Sequence, residues 1–111
     1  MMRELFESRF GSLQGARVVT APGRVNLIGE HTDYNLLPVF PVALQFGIRI
    51  LFRPRGDATV RLAAMAPGFG DRSFELQAEI RPYAAGDWGN YVKAAAQAVV
   101  ERWNLRRGMD A

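Results

Sequence analysis

The sequence predicts a two-layered α+β fold: a mostly antiparallel or mixed sheet with helices on one face. Three observations lead there. Short runs of alternating apolar and polar residues recur between residues 17 and 77, the period of half-buried strands. Close-set turn residues divide them, including Pro22-Gly23, Gly29 and Pro54-Arg-Gly56-Asp57. From Trp88 the apolar spacing changes to i, i+3, i+4, the stripe of a helix packed on a core.

Residues 3–10 are weakly helical, with Leu5, Phe6 and Phe10 as the apolar edge and Gly11 and Gly15 as punctuation. Residues 17–21 read as a strand, Pro22-Gly23 as a tight turn, and 24–28 as a second short strand. Gly29 breaks it, and residues 30–38 form a loop, where binding residues concentrate. The clearest strand signal spans 39–53. Leu44, Phe46, Ile48, Ile50 and Phe52 point one way, Gln45, Gly47, Arg49 and Arg53 the other, with Leu51 as the apolar exception. Further strands are expected at 59–63 and 73–77. Asp87 is placed to cap a helix that begins at Trp88. Its core stripe would be Trp88, Tyr91/Val92, Ala95/Ala96, Val99 and Trp103, with Lys93, Gln97, Glu101 and Arg102 outside it. Gly108 would end it as a left-handed cap.

A chain of 111 residues suits one small domain with a single core. No run approaches 18 apolar residues, so no membrane partner is expected. The first ten residues carry acids and no apolar core segment, unlike a secretory signal. Cysteine is absent, which excludes a disulfide framework and fits a cytoplasmic location. The net charge of +3 raises the question of nucleic acid. The basic residues, all arginine except Lys93, are scattered and carry no interleaved aromatics, so no nucleic-acid partner is expected. Most are read as solvated surface residues.

The densest chemistry lies in Ala21-Pro-Gly-Arg-Val-Asn-Leu-Ile-Gly-Glu-His-Thr-Asp-Tyr-Asn35. Arg24, Glu30, His31 and Asp33 fall within ten residues, and His31 is the only histidine. Two carboxylates, an imidazole and a guanidinium suit a small polyhydroxylated ligand, since each binds hydroxyls with a different geometry. The bland alternatives are an Arg24 ion pair with Glu30 or Asp33, a satisfied loop histidine, and turn-forming acids. Gly23 to Gly29 lacks the spacing and the Gly-Lys-Ser/Thr of a nucleotide phosphate loop. Glu30, His31 and Asp33 lack a second histidine, and no metal site is expected.

The run from Pro22 to Asn35 resembles the N-terminal signature of galactokinases, in the GHMP family of small-molecule kinases. Val39-Phe-Pro-Val-Ala-Leu44 is similar to the family's strand after the sugar loop, and Trp88-Gly-Asn-Tyr-Val-Lys93 to its helix start. The resemblance implies an ATP-dependent kinase acting on the anomeric hydroxyl of galactose, with Mg2+ beside ATP. It implies that Arg24 lies by the reacting hydroxyl and stabilises the transferring charge. It implies sugar-hydroxyl contacts for Arg24, Glu30, His31 and Asp33, and a place near adenine for Trp88, whose position on the helix stripe equally suits core packing.

By the same resemblance, residues 1–111 correspond to the N-terminal part of such a domain. The phosphate loop, catalytic base and C-terminal domain, which hold most of ATP and Mg2+, are expected outside it. The chain alone is then expected to bind sugar weakly and not to turn over, and its unpaired sheet edges offer a route to self-association. The family usually has a polar residue and then glycine where Leu36 and Leu37 stand, so the sugar loop is expected to close differently. Other readings are a non-catalytic galactose sensor of the same family, or a kinase for another hexose or an N-acetylhexosamine.

Overall fold

A computed structural model describes all residues from Met1 to Ala111. The elements are α1 (Met2–Phe10), β1 (Arg17–Ile28), a single 3-10 turn (Asp33–Asn35), β2 (Phe40–Pro54), β3 (Thr59–Leu62), β4 (Arg72–Glu75), α2 (Gly89–Trp103) and β5 (Met109–Asp110). They form a mixed five-stranded sheet in the order β1-β2-β5-β3-β4. β2 pairs antiparallel with β5, β5 runs parallel to β3, and β3 pairs antiparallel with β4. The chain divides into two compact units, Met1–Arg17 with Leu51–Ala111, and Val18–Ile50. No helix is long and apolar enough to cross a membrane.

The first unit is organised by register. Pro54, Met109, Val60 and Phe74 are successive cross-strand neighbours. Their row joins a core cluster of Val60, Leu62, Phe74, Leu76, Ile80 and Val100, with Met109, Val92 and Ala96 packed against it. Each large aliphatic side chain buried there contributes roughly 1.5–3 kcal/mol. The adjacent row, one residue along each strand, is Arg53, Asp110, Arg61 and Ser73. Side chains alternate across a strand, so this row leaves the opposite face. There Arg53 lies over the Phe6 ring at 5.5 Å and Arg61 over the Phe10 ring at 5.3 Å. The two helices therefore meet opposite faces of this part of the sheet, a refinement of the one-sided layer that the sequence suggested.

Asp110 is 1% exposed, and three arginines hold it. Arg53 Nη2 and Arg61 Nε donate to its carboxylate at 2.7 Å, and Arg55 Nη1 at 3.0 Å. Burial pushes the carboxyl upward. The hydrogen bonds from Arg61, Arg53 and Arg55 outweigh burial and hold it at about 2. Arg53 also donates to the carbonyls of Phe10 and Ser12, tying the end of α1 to β2. These arginines are thus structural rather than solvated, contrary to the sequence reading. Arg72 likewise pairs with Asp87 at 2.9 Å.

Three local expectations change. Residues 17–28 form one strand, not two around a turn. β1 lies at the sheet edge, where a proline leaves no ladder bond unmade on its free side. In β2, Leu51 is the buried residue at 7% exposure, while Phe46 and Ile48 are about 70% exposed (71% and 68%). The helix stripe is rotated. Gly89, Lys93 and Val100 are buried, whereas Tyr91 and Trp103 are exposed. Lys93 tolerates burial because its ammonium donates to the Arg81 carbonyl at 2.7 Å and stands 3.3 Å above the Tyr83 ring.

The caps of α2 also differ in detail. The helix begins at Gly89 rather than Trp88, and Trp88 takes the N-cap position without a side-chain cap bond; Asp87, one residue earlier, still accepts the Gly89 N–H at 2.8 Å. The left-handed C-cap is Asn104 (φ 50°), not Gly108. Gly108 leads into β5, where its N–H donates to the Asp57 carbonyl at 2.7 Å.

Candidate functional site

The second unit, Val18–Ile50, carries all four residues of the hydroxyl-binding constellation. Arg24 lies in β1, Glu30 and His31 follow that strand after Gly29, and Asp33 opens the 3-10 turn. One continuous stretch of backbone thus presents them.

Close backbone contact shapes the strand beneath Arg24. A Cβ at Gly23 would lie 3.1 Å from the Phe46 carbonyl oxygen, and one at Gly47 would strike the Ala21 carbonyl. Glycine at both positions lets β1 and β2 approach closely beside Pro22. Gly29 has a φ of 110°, and a Cβ there would lie 2.8 Å from Val39 Cα. That glycine permits the sharp exit from β1 into the loop.

The loop is held by its own hydrogen bonds. Thr32 Oγ1 donates to the Gly29 carbonyl at 2.7 Å. The Thr32 carbonyl accepts from Asn35 N at 3.1 Å and from Leu37 N at 3.0 Å. Asn35 Nδ2 donates to the His31 carbonyl at 3.0 Å. The Tyr34 hydroxyl stands 2.9 Å from His31 Nδ1. His31 (φ 57°) and Leu36 (φ 58°) both adopt left-handed backbone. Histidine visits that region more readily than leucine. Of the two leucines after Asn35, Leu36 and not Leu37 takes the left-handed backbone.

Arg24, Glu30, His31 and Asp33 are all exposed. Arg24, Glu30 and Asp33 enter none of the protein's ion pairs. The bland alternative of an Arg24 bridge to Glu30 or Asp33 is not realised. A guanidinium and two carboxylates are left with unused hydrogen-bonding capacity on one short segment.

Trp88 belongs to the first unit, at the start of α2. Its indole N–H donates to the Gly70 carbonyl at 3.1 Å, and its ring meets Phe69 edge-on at 6.3 Å. The rest of its motif is structural. Gly89 leaves room for the Tyr83 ring, which a Cβ would approach to 2.9 Å. Asn90 accepts from Tyr83 N at 2.7 Å and donates to the Ala84 carbonyl at 3.0 Å, pinning the connector before α2.

The first unit also contains a cavity of about 420 Å³ lined by Phe52, Val60, Phe74, Val92, Leu105 and Met109. Arg107 is its one charged lining residue, so its walls suit apolar groups rather than a sugar. No three acidic, histidine or cysteine side chains converge in the manner of a metal site. Sequence reasoning missed the Asp110 cluster. The alternate spacing of Arg53 and Arg55 was a weak sign of a shared acidic partner, but Asp110 lies 57 positions beyond Arg53.

With this geometry in view, comparison with known proteins is specific. The galactokinase galactose-binding signature matches residues 4–54. The fold matches the crystal structure of Lactococcus lactis galactokinase complexed with galactose, with a TM-score of 0.82 and 34% sequence identity. That alignment covers 96% of this chain and 28% of the Lactococcus chain. The signature's range includes all four residues of the constellation, Arg24, Glu30, His31 and Asp33. By sequence signature and by fold, this chain belongs to the galactokinase family, in the portion that carries the galactose-binding signature.

Proposed function

We propose that this chain supplies the galactose-binding part of an ATP-dependent kinase that phosphorylates the anomeric hydroxyl of the sugar. The observation carrying this reading is the set of uncommitted polar side chains, Arg24, Glu30 and Asp33, inside the matched signature. The Lactococcus relative, solved with galactose, supports the choice of sugar.

Glu30 and Asp33 accept hydrogen bonds from sugar hydroxyls, each contributing roughly 1.5–3 kcal/mol as charge-assisted bonds. A sugar lacking one hydroxyl would leave a carboxylate unpaired, which is how such a site discriminates. Arg24 is permanently charged and planar, suited to hold the reacting oxygen and stabilise charge as phosphoryl transfer proceeds. His31 adds a ring nitrogen to the same hydroxyl-binding segment.

ATP supplies the phosphoryl group in this reading. Trp88 is the residue proposed near adenine, and its indole N–H is already directed to Gly70. Mg2+ would accompany ATP in this reading, held by the nucleotide phosphates with one or two carboxylates and neutralising charge on them.

Titration calorimetry with a sugar panel tests the reading. Saturable binding of galactose, with glucose and N-acetylhexosamines weaker, is expected. Preference for an N-acetylhexosamine would reassign the sugar, and absence of binding by any hexose would overturn the function.

A further inference from the structure

The Tyr34 hydroxyl and His31 Nδ1 are 2.9 Å apart, with their rings edge-on at 6.0 Å and 67°. Both residues lie in the same loop, and Tyr34 is 68% exposed. The core therefore does not account for the placement of its hydroxyl. We propose that Tyr34 is a positioning residue: its hydroxyl donates to Nδ1 and fixes the His31 ring so that Nε2–H is the face offered to a sugar oxygen. This rests on the sugar-binding reading above.

The direction of the bond follows from acidity. A phenol is a stronger acid than a neutral imidazole N–H, and the unprotonated imidazole nitrogen is the better acceptor. The hydrogen bond made by one ring nitrogen sets which proton the other carries. The backbone under the ring is also restrained. The His31 carbonyl accepts from Asn35 Nδ2 at 3.0 Å, and Thr32 Oγ1 donates to the Gly29 carbonyl at 2.7 Å. With peptide and Nδ1 both held, Nε2 is the one free polar atom of the side chain. A donor there complements Glu30 and Asp33, which only accept. The loop then offers both halves of a hydroxyl's hydrogen-bonding capacity.

His31 is the only histidine, so imidazole nitrogen NMR of the 15N-labelled 111-residue chain reads one ring without assignment. The spectra are recorded at about pH 8.5, where an ordinary imidazole is neutral. The unaltered chain should show Nε2 protonated and Nδ1 bare, as a single species. Tyr34→Phe keeps the aromatic edge and removes only the hydroxyl. It should admit both tautomers and weaken galactose binding about fivefold, with the melting temperature unchanged. A protonated Nδ1 in the unaltered chain would overturn the proposal. So would identical ring spectra, or identical galactose affinity, in the two chains. If galactose fails to move the His31 signals of the unaltered chain, the sugar-binding reading fails. The sugar-free tautomer comparison still decides whether Tyr34 fixes the ring.

Discussion

Gly47 faces the Ala21 carbonyl so closely that no Cβ fits between them. With Gly23, where a Cβ would lie only 3.1 Å from the Phe46 carbonyl oxygen, it sets the path of β1 just before Arg24. Gly47→Ala must push the strands apart or twist one of them. The expected outcome is a destabilisation of about 1–3 kcal/mol together with weakened galactose binding. Thermal melting and calorimetric titration of the variant check both. An unchanged affinity would separate this strand approach from the sugar site.

Arg24 has no ion pair to lose, so replacing it tests chemistry more than folding. In a polypeptide that contains this sequence and phosphorylates galactose, Arg24→Ala should lower kcat by about 10²–10³. The melting temperature should hardly change. Steady-state kinetics decide the matter, and equal turnover would remove Arg24 from phosphoryl transfer.

Leu36 occupies left-handed backbone at φ 58° and ψ 27°. Its side chain is 94% exposed, so packing does not offset that conformation. Leu36→Asn should stabilise the protein by about 0.5–1 kcal/mol, because asparagine enters this region at lower cost. A denaturant midpoint measurement checks this. A loss of stability would mean that the leucine conformation is favoured by something other than the backbone.

Asp110 makes folding sensitive to acid. Its carboxyl sits at about 2 in the folded protein, against an ordinary 3.8. Because the folded value is depressed, the stabilisation is fully present above about pH 4 and is lost as pH falls towards 2. Asp110→Asn should cost about 3–5 kcal/mol near neutrality, since three arginines lose their buried partner. It should also flatten the acid limb of the stability profile between those pH values. An acid limb identical to that of the unaltered chain would contradict the role given to this cluster.

How much of this was legible in sequence depends on the range of the interactions. Local period and turn chemistry located β2, β3, β4 and both helices to within a few residues. The bond from the Gly89 N–H to Asp87 was within reach of the sequence because the two are two residues apart, although Trp88 rather than Asp87 holds the N-cap position. Pro22-Gly23 misled because an edge strand tolerates proline, and edge position is a property of the whole sheet. The phase of α2 misled because Lys93 is buried through Tyr83 and the Arg81 carbonyl, which no periodicity reveals. The Asp110 cluster left only the weak sign of the Arg53 and Arg55 spacing, because its acid lies 57 positions beyond Arg53. The four candidate side chains lie on one short segment, so they could be named from the sequence without any distant contact. The placement of the Tyr34 hydroxyl on His31 became visible only in three dimensions.

The central claim is that residues 24–33 together hold one hexose. Backbone amide NMR of the labelled chain, titrated with galactose and separately with glucose, tests it most directly. The account expects the signals of Arg24, Glu30, His31 and Asp33 to move along one saturation curve with galactose, and far less with its C4 epimer. Signals that move only in the first unit, or none that saturate, would contradict it.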